Sequence, residues 1–107
     1  MNVTTNDNAK SALALSALKN VYDPEIGLNV VDLGLIYRID FDEDTKKVQC
    51  IMTLTTEFCP MGESITENAR SALQQAFAGY SVELSLTFQP PWNYSLISEE
   101  GRSFLGR

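Results

Sequence analysis

Apolar positions recur along this chain with two different periods. In the first quarter Ala14, Leu15, Leu18, Val21 and Tyr22 follow the small Ser11 at i+3, i+4, i+7, i+10 and i+11. That spacing is one stripe on a helix and predicts an element over about Asp7 to Val21, with Asp7 as its cap. Pro24 stops it, because the residue before a proline is pushed out of the α region. The stretch Asp23 to Leu35 follows, unusually apolar for a loop and carrying two glycines, and it reads as a packed, irregular segment.

The period then changes to two. Leu35, Tyr37, Ile39 and Phe41 alternate with Arg38 and Asp40; Val48, Cys50, Met52 and Leu54 alternate with Gln49 and Thr53; Val82, Leu84, Leu86 and Phe88 alternate with Glu83, Ser85 and Thr87. Each run predicts a strand with one apolar face, and so a sheet covered on one side only. The short polar link Asp42 to Lys46 makes the first two strands a hairpin. Between the second and third strands, Ile65, Ala69, Ala72, Leu73, Ala76 and Phe77 restore the helical period, and Gly79 ends that helix. Ser98 followed by Glu99 and Glu100 predicts a short capped helix over about Glu99 to Leu105.

The expected order is α-β-β-α-β with a short C-terminal helix. Two helices on one face of a small mixed sheet make a two-layer α+β sandwich. Residues 1–8 are polar and expected to be flexible, and residues 9–107 form a single domain. At this length about 65% of the extended chain's surface is buried on folding, enough for one core without metal or disulfide staples.

Composition narrows the chemistry. The chain of 107 residues has 8 Lys and Arg against 14 Asp and Glu, a formal charge of −6. That balance argues against nucleic acid and against anionic membrane surfaces. No signal-peptide pattern and no membrane-length apolar run is visible, so a cytoplasmic location with reduced thiols is expected. There is no histidine, which removes the usual neutral-pH base and any His-ligated zinc. Two cysteines cannot fill a tetrahedral zinc site or hold a cluster within one chain.

Those two cysteines are not equivalent. Cys50 shares a strand face with Val48, Met52 and Leu54, which makes it a small buried hydrophobe. Cys59 lies between a strand and a helix, directly before Pro60, a residue suited to the first helical position. At or near the N-cap, free N–H groups and the helix dipole favour a thiolate; the plainer alternative is that Cys59 merely packs and Pro60 merely starts a helix. If the second strand continues past Leu54, about five extended steps put the two thiols well beyond the ~6 Å Cα separation of a disulfide, so an intramolecular disulfide is not expected.

Other positions also carry two readings. Asp32, an acid amid Val31, Leu33 and Leu35, is either an anionic or metal-directed group near Cys59 or a carboxylate satisfied by nearby backbone N–H groups. Thr55 and Thr56 are strand formers, close enough along the chain to offer hydrogen bonds at Cys59. Trp92, after Pro90 and Pro91, is either an exposed recognition ring or a cap on the core. Asp23 and Glu25 flank Pro24 and shape the turn there. No Gly-rich phosphate loop, CxxC or Ser/His/Asp set is present.

Five motifs in order then resemble the SufT/PaaD-like iron–sulfur (metal–sulfur) cluster assembly family. They are Val21-Tyr22-Asp23-Pro24-Glu25, Asn29 through Tyr37, Thr53-Leu54-Thr55-Thr56 leading to Cys59-Pro60, Pro90-Pro91-Trp92, and Ile97-Ser98 through Arg102 to Leu105-Gly106. The resemblance runs from about Leu15 to Gly106. It departs at Asn93-Tyr94, where the family often has a small residue and a proline or acid, and at Glu57-Phe58, where small residues are usual.

The resemblance implies a fold similar to the NifU-type assembly domain and an accessory role rather than an enzyme. It implies Cys59 as the functional thiol and metal ligand, in contact with a transient iron–sulfur cluster or iron, with Asp32, Thr55 and Thr56 supporting the site. Trp92 and Pro91 would face partners: cluster carriers or scaffolds, and client proteins. A cluster needs about four ligands, so one useful cysteine per chain calls for a homodimer, a partner or a small thiol to supply the rest. Two other functions remain open: an adapter that docks carriers to clients without holding a cluster, and a thiol redox protein, for which no general base is visible.

Overall fold

Asp7 starts the first helix from extended backbone, its carboxylate accepting the Lys10 N–H at 3.0 Å. Such a cap satisfies one of the donors that a helix start leaves open. The helix, α1, spans Asn8–Leu18 and ends three residues before the sequence expectation. The cause is a competing use of the backbone. The Val21 carbonyl accepts from Val30 N–H at 2.9 Å, and Tyr22 pairs with Asn29 in an antiparallel bridge. The structure, a computed structural model, describes residues 3–23, 26–55, 62–89 and 91–105. Pro24, the expected stop, lies outside them.

The sheet has four strands in the order β1-β2-β3-β4: β1 Thr4–Thr5, β2 Ile36–Asp42, β3 Lys47–Met52 and β4 Ser81–Leu86. β2 and β3 form the expected antiparallel hairpin, while β1 and β4 run parallel to their neighbours, so the sheet is mixed. Helix α2, Gly62–Ala76, is the crossover between the parallel strands β3 and β4. α1 and α2 pack on one another and on one face of the sheet. The opposite face carries exposed Arg38, Gln49, Glu83 and Ser85. This is the two-layer α+β sandwich that the alternating runs predict.

Three details differ from the sequence expectation. The polar start was expected to fray through residue 8, yet Thr4–Thr5 pairs with Arg38 and Ile39. Asn6 reinforces that pairing, exchanging two 2.9 Å hydrogen bonds with the Phe41 backbone. In β2 the register slips between Ile36 and Arg38, so that Tyr37 is an extra residue against β3. This bulge turns Ile36 inward with Ile39 and Phe41, and leaves Tyr37 half-buried. In β4 the apolar face is covered only at its start. Val82 is buried, Leu84 is half-buried and Leu86 is 44% exposed, because β4 is an edge strand.

The core joins both layers through Leu18, Ile39, Val48, Met52, Ile65 and Leu73. It also takes in Leu28, Val30, Val31, Leu33 and Leu35, all buried. That burial explains why this segment is so apolar without being a strand. A short helix, α3, spans Glu99–Leu105 as expected, preceded by a 3-10 turn over Tyr94–Leu96.

Candidate functional site

The Leu28–Leu35 segment folds on itself through its own backbone. Leu33 N–H donates to Asn29 O, Gly34 N–H to Val31 O and Leu35 N–H to Val30 O, each at 3.0 Å. The apolar side chains face the core, and Asn29 and Asp32 are the polar residues among them. Gly34 has φ +78°, and a Cβ there would stand 2.2 Å from the Leu96 carbonyl oxygen. Only glycine permits that backbone-to-backbone approach.

The C-terminal segment is laid across this turn. Trp92 Nε1 donates to Leu33 O at 2.6 Å. Ser98 N–H donates to Asp32 O at 2.8 Å, and Ser98 Oγ donates to Asp32 Oδ1 at 2.8 Å. The same hydroxyl accepts Gly101 N–H at 3.1 Å, so Ser98 caps α3 while it binds Asp32. Gly101 sits where a Cβ would stand 2.8 Å from Ile97 and 3.0 Å from Leu28.

Asp32 is held from the other side by Asn29. Asn29 Nδ2 donates to Oδ2 at 2.7 Å, and the Asp32 N–H donates to Asn29 Oδ1 at 2.8 Å. Burial pushes the Asp32 carboxyl up, but hydrogen bonds from Asn29 and Ser98 and the charge of Lys19 outweigh it. The group therefore lies below its ordinary value of 3.8. Asp32 is thus a satisfied carboxylate, but its donors are the side chains of Asn29 and Ser98 rather than the backbone N–H groups that the sequence suggested.

Thr55 is half-buried and follows β3 by three residues. The two segments are neighbours through Leu35, whose carbonyl accepts Thr53 N–H at 2.8 Å. Thr53 is fully buried and shares a side-chain hydrogen bond with Tyr37, whose phenol burial pushes up. Pro91 is exposed, and Trp92 is half-buried with its ring packed against the core. Cys59 and Thr56 lie outside the described residues, as does Pro60. Cys50 is 1% exposed, and burial pushes its thiol up to about 12. It is the inert cysteine that the strand pattern predicts.

An open groove of about 460 Å³ runs between the start of β2 and the C-terminal segment. Ile36 and Tyr37 line one side, and Leu96, Ser98 and the exposed Glu99 and Glu100 line the other. Among the described residues no group of three or more His, Cys, Asp or Glu could hold a metal ion. None of their helices is long and apolar enough to cross a membrane.

Sequence reasoning missed Asn29 and the second use of Ser98. Asn29, three residues before Asp32, has the spacing of a side-chain-capped turn, which could have found it. Nothing local links Ser98 to an acid 66 residues earlier. Asp23 shapes its turn as expected, its carbonyl accepting Ile26 and Gly27 N–H groups, but it is also 2% exposed, a second carboxylate withdrawn from water.

The chain is similar to known proteins in sequence and in fold. A family described as iron-sulfur cluster assembly protein matches residues 12–85. An Fe-S protein maturation auxiliary factor of Porphyromonas gingivalis is 44% identical over 89 residues, covering 83% of this chain and 84% of that protein. The Fe-S protein maturation auxiliary factor YitW of Bacillus subtilis is 35% identical over 92 residues, covering 86% and 89%. Among solved structures, a domain of unknown function from Bacillus anthracis superposes with a TM-score of 0.86 at 29% identity, over 92% of this chain and 93% of that one. With a family model spanning residues 12–85 and a relative 44% identical over most of both chains, the chain belongs to the iron-sulfur cluster assembly protein family.

Proposed function

We propose that this protein serves the maturation of iron–sulfur proteins, with Cys59 as the transient ligand of a cargo cluster, iron or sulfur. The maturation role follows the family and the auxiliary factors of Porphyromonas gingivalis and Bacillus subtilis. The observation that supports Cys59 is the fate of the other thiol. Of two cysteines, Cys50 is sealed in the core with its thiol pushed to about 12. Cys59 is the remaining thiol.

One thiol per chain cannot complete a four-ligand cluster site. The cargo is therefore held jointly, by a second copy, a carrier or client protein, or a small thiol. Thr55 and Thr56 belong to the same stretch and support the thiolate. The reading places the protein in the cytoplasm, in an accessory rather than catalytic role.

The test is client activation together with anaerobic iron and sulfide uptake. Cys59→Ser is expected to lose both and Cys50→Ala to keep both. Full client activation by Cys59→Ser would reject the ligand role.

A second reading draws on the exposed Pro91 and the half-buried ring of Trp92. In it the protein is an adapter that docks carriers to clients through this surface and holds no cargo itself.

A further inference from the structure

The contacts described above that fasten the C-terminal segment land on residues 28–34. Ser98 binds Asp32 through its N–H and its hydroxyl, Trp92 binds the Leu33 carbonyl, Leu96 closes on Gly34, and Gly101 on Leu28. Asp32 is the hub. Its Oδ1 and Oδ2 each accept a side-chain donor, and its carbonyl accepts a third bond. A carboxylate with charge-assisted bonds on both oxygens is worth most as a clamp, and drawing it onto a metal would cost those bonds.

We infer that Asp32 is a positioning residue: with Ser98 it latches the C-terminal segment, Trp92 to Leu105, across the Leu28–Leu35 turn, and it acts in maturation through that segment rather than by touching iron or sulfur. The latched segment carries the Trp92 ring and one wall of the Tyr37–Leu96 groove. Its placement sets the shape that carriers or clients meet. Only this functional consequence rests on the maturation reading; the latch itself can be read without iron.

Trp92 is the single tryptophan of the chain, so its signals report the segment directly. The experiment uses the intact chain at neutral pH without iron, comparing Asp32→Ala, Ser98→Ala, the double variant and Ser98→Thr. Loss of a hydrogen bond to a charged group is expected to speed exchange of the Trp92 indole N–H about tenfold. Its emission should shift to the red in both single variants, and the double variant should add nothing further. Ser98→Thr, which keeps the hydroxyl, should restore the wild-type signals. In client activation, at a temperature where circular dichroism shows every variant folded, Ser98→Ala should fall as far as Asp32→Ala.

Unchanged indole exchange in both single variants would overturn the latch. So would a folded Ser98→Ala that activates clients normally while Asp32→Ala does not, because the carboxylate would then act directly. Where Asp32→Ala does not fold, Asp32→Asn takes its place and must match Ser98→Ala in the same way. Cys59→Ser is expected to leave the Trp92 signals untouched. If that variant activates clients fully, the thiol reading fails while the latch stands.

Discussion

Gly34 and Leu96 meet backbone to backbone: a Cβ on Gly34 would lie 2.2 Å from the Leu96 carbonyl oxygen. The contact fixes how closely the C-terminal segment lies on the packed turn. Gly34→Ala meets this clash and also forces a side chain into φ +78°. A loss of about 2–4 kcal/mol is expected, read as a lower urea midpoint with unchanged slope.

Cys50 gives an alkaline signature. Its folded thiol lies at about 12 against an ordinary 9.0, so the folded state prefers the proton. Its contribution is complete below pH 9 and is lost as pH rises toward 12. At one pH unit above the unfolded value, the stability of the wild type should have fallen by about 1.4 kcal/mol more than that of Cys50→Ala. Equal alkaline slopes for the two proteins would place Cys50 in contact with water.

Asp32 acts at the opposite end of the scale. Its folded carboxyl lies below 3.8, so its contribution is present above that value and is lost as pH falls through the folded one. Asp32→Asn should flatten the acid limb of the stability curve and leave the limb above pH 5 unchanged. Thermal unfolding of both proteins from pH 2 to pH 6 reads this directly.

The cap on α1 is a simpler case. Asp7 accepts Lys10 N–H and pairs with the Lys10 ammonium at 3.7 Å. Asp7→Ala should cost about 1 kcal/mol, nearly all of it from the cap, since exposed ion pairs contribute little. Asp7→Ser should recover most of that loss.

Carrier and adapter readings separate in a pull-down. If the protein only docks partners, Cys59→Ser keeps its carrier and client while Trp92→Ala releases them. If cargo on Cys59 bridges the partners, Cys59→Ser releases them under anaerobic conditions. Capture by both variants at wild-type levels would reject both readings.

What could be read from the chain divides along physical lines. Period-two runs with one apolar face announced β2, β3 and β4, because a half-covered sheet leaves that imprint on every strand. The bulge at Tyr37 left none. It depends on which residues of β3 stand opposite, and Leu35 and Ile36 are equally apolar candidates for the inner face. Thr4–Thr5 is too short to carry a period. At the site, burial of Cys50 followed from its neighbours, and the capping role of Ser98 from the acids after it. The bond from Ser98 to Asp32 did not, because each residue has a sufficient local explanation of its own.

That bond also sets an order of events during synthesis. Ser98 is made 66 residues after Asp32. At the usual pace of translation the interval is about 3–13 s. Throughout it the Leu28–Leu35 turn exists without its C-terminal cover, and the Asp32 carboxylate has Asn29 but not Ser98. A nascent chain stalled before residue 92 would present that apolar turn to chaperones, and release of residues 92–107 would withdraw it.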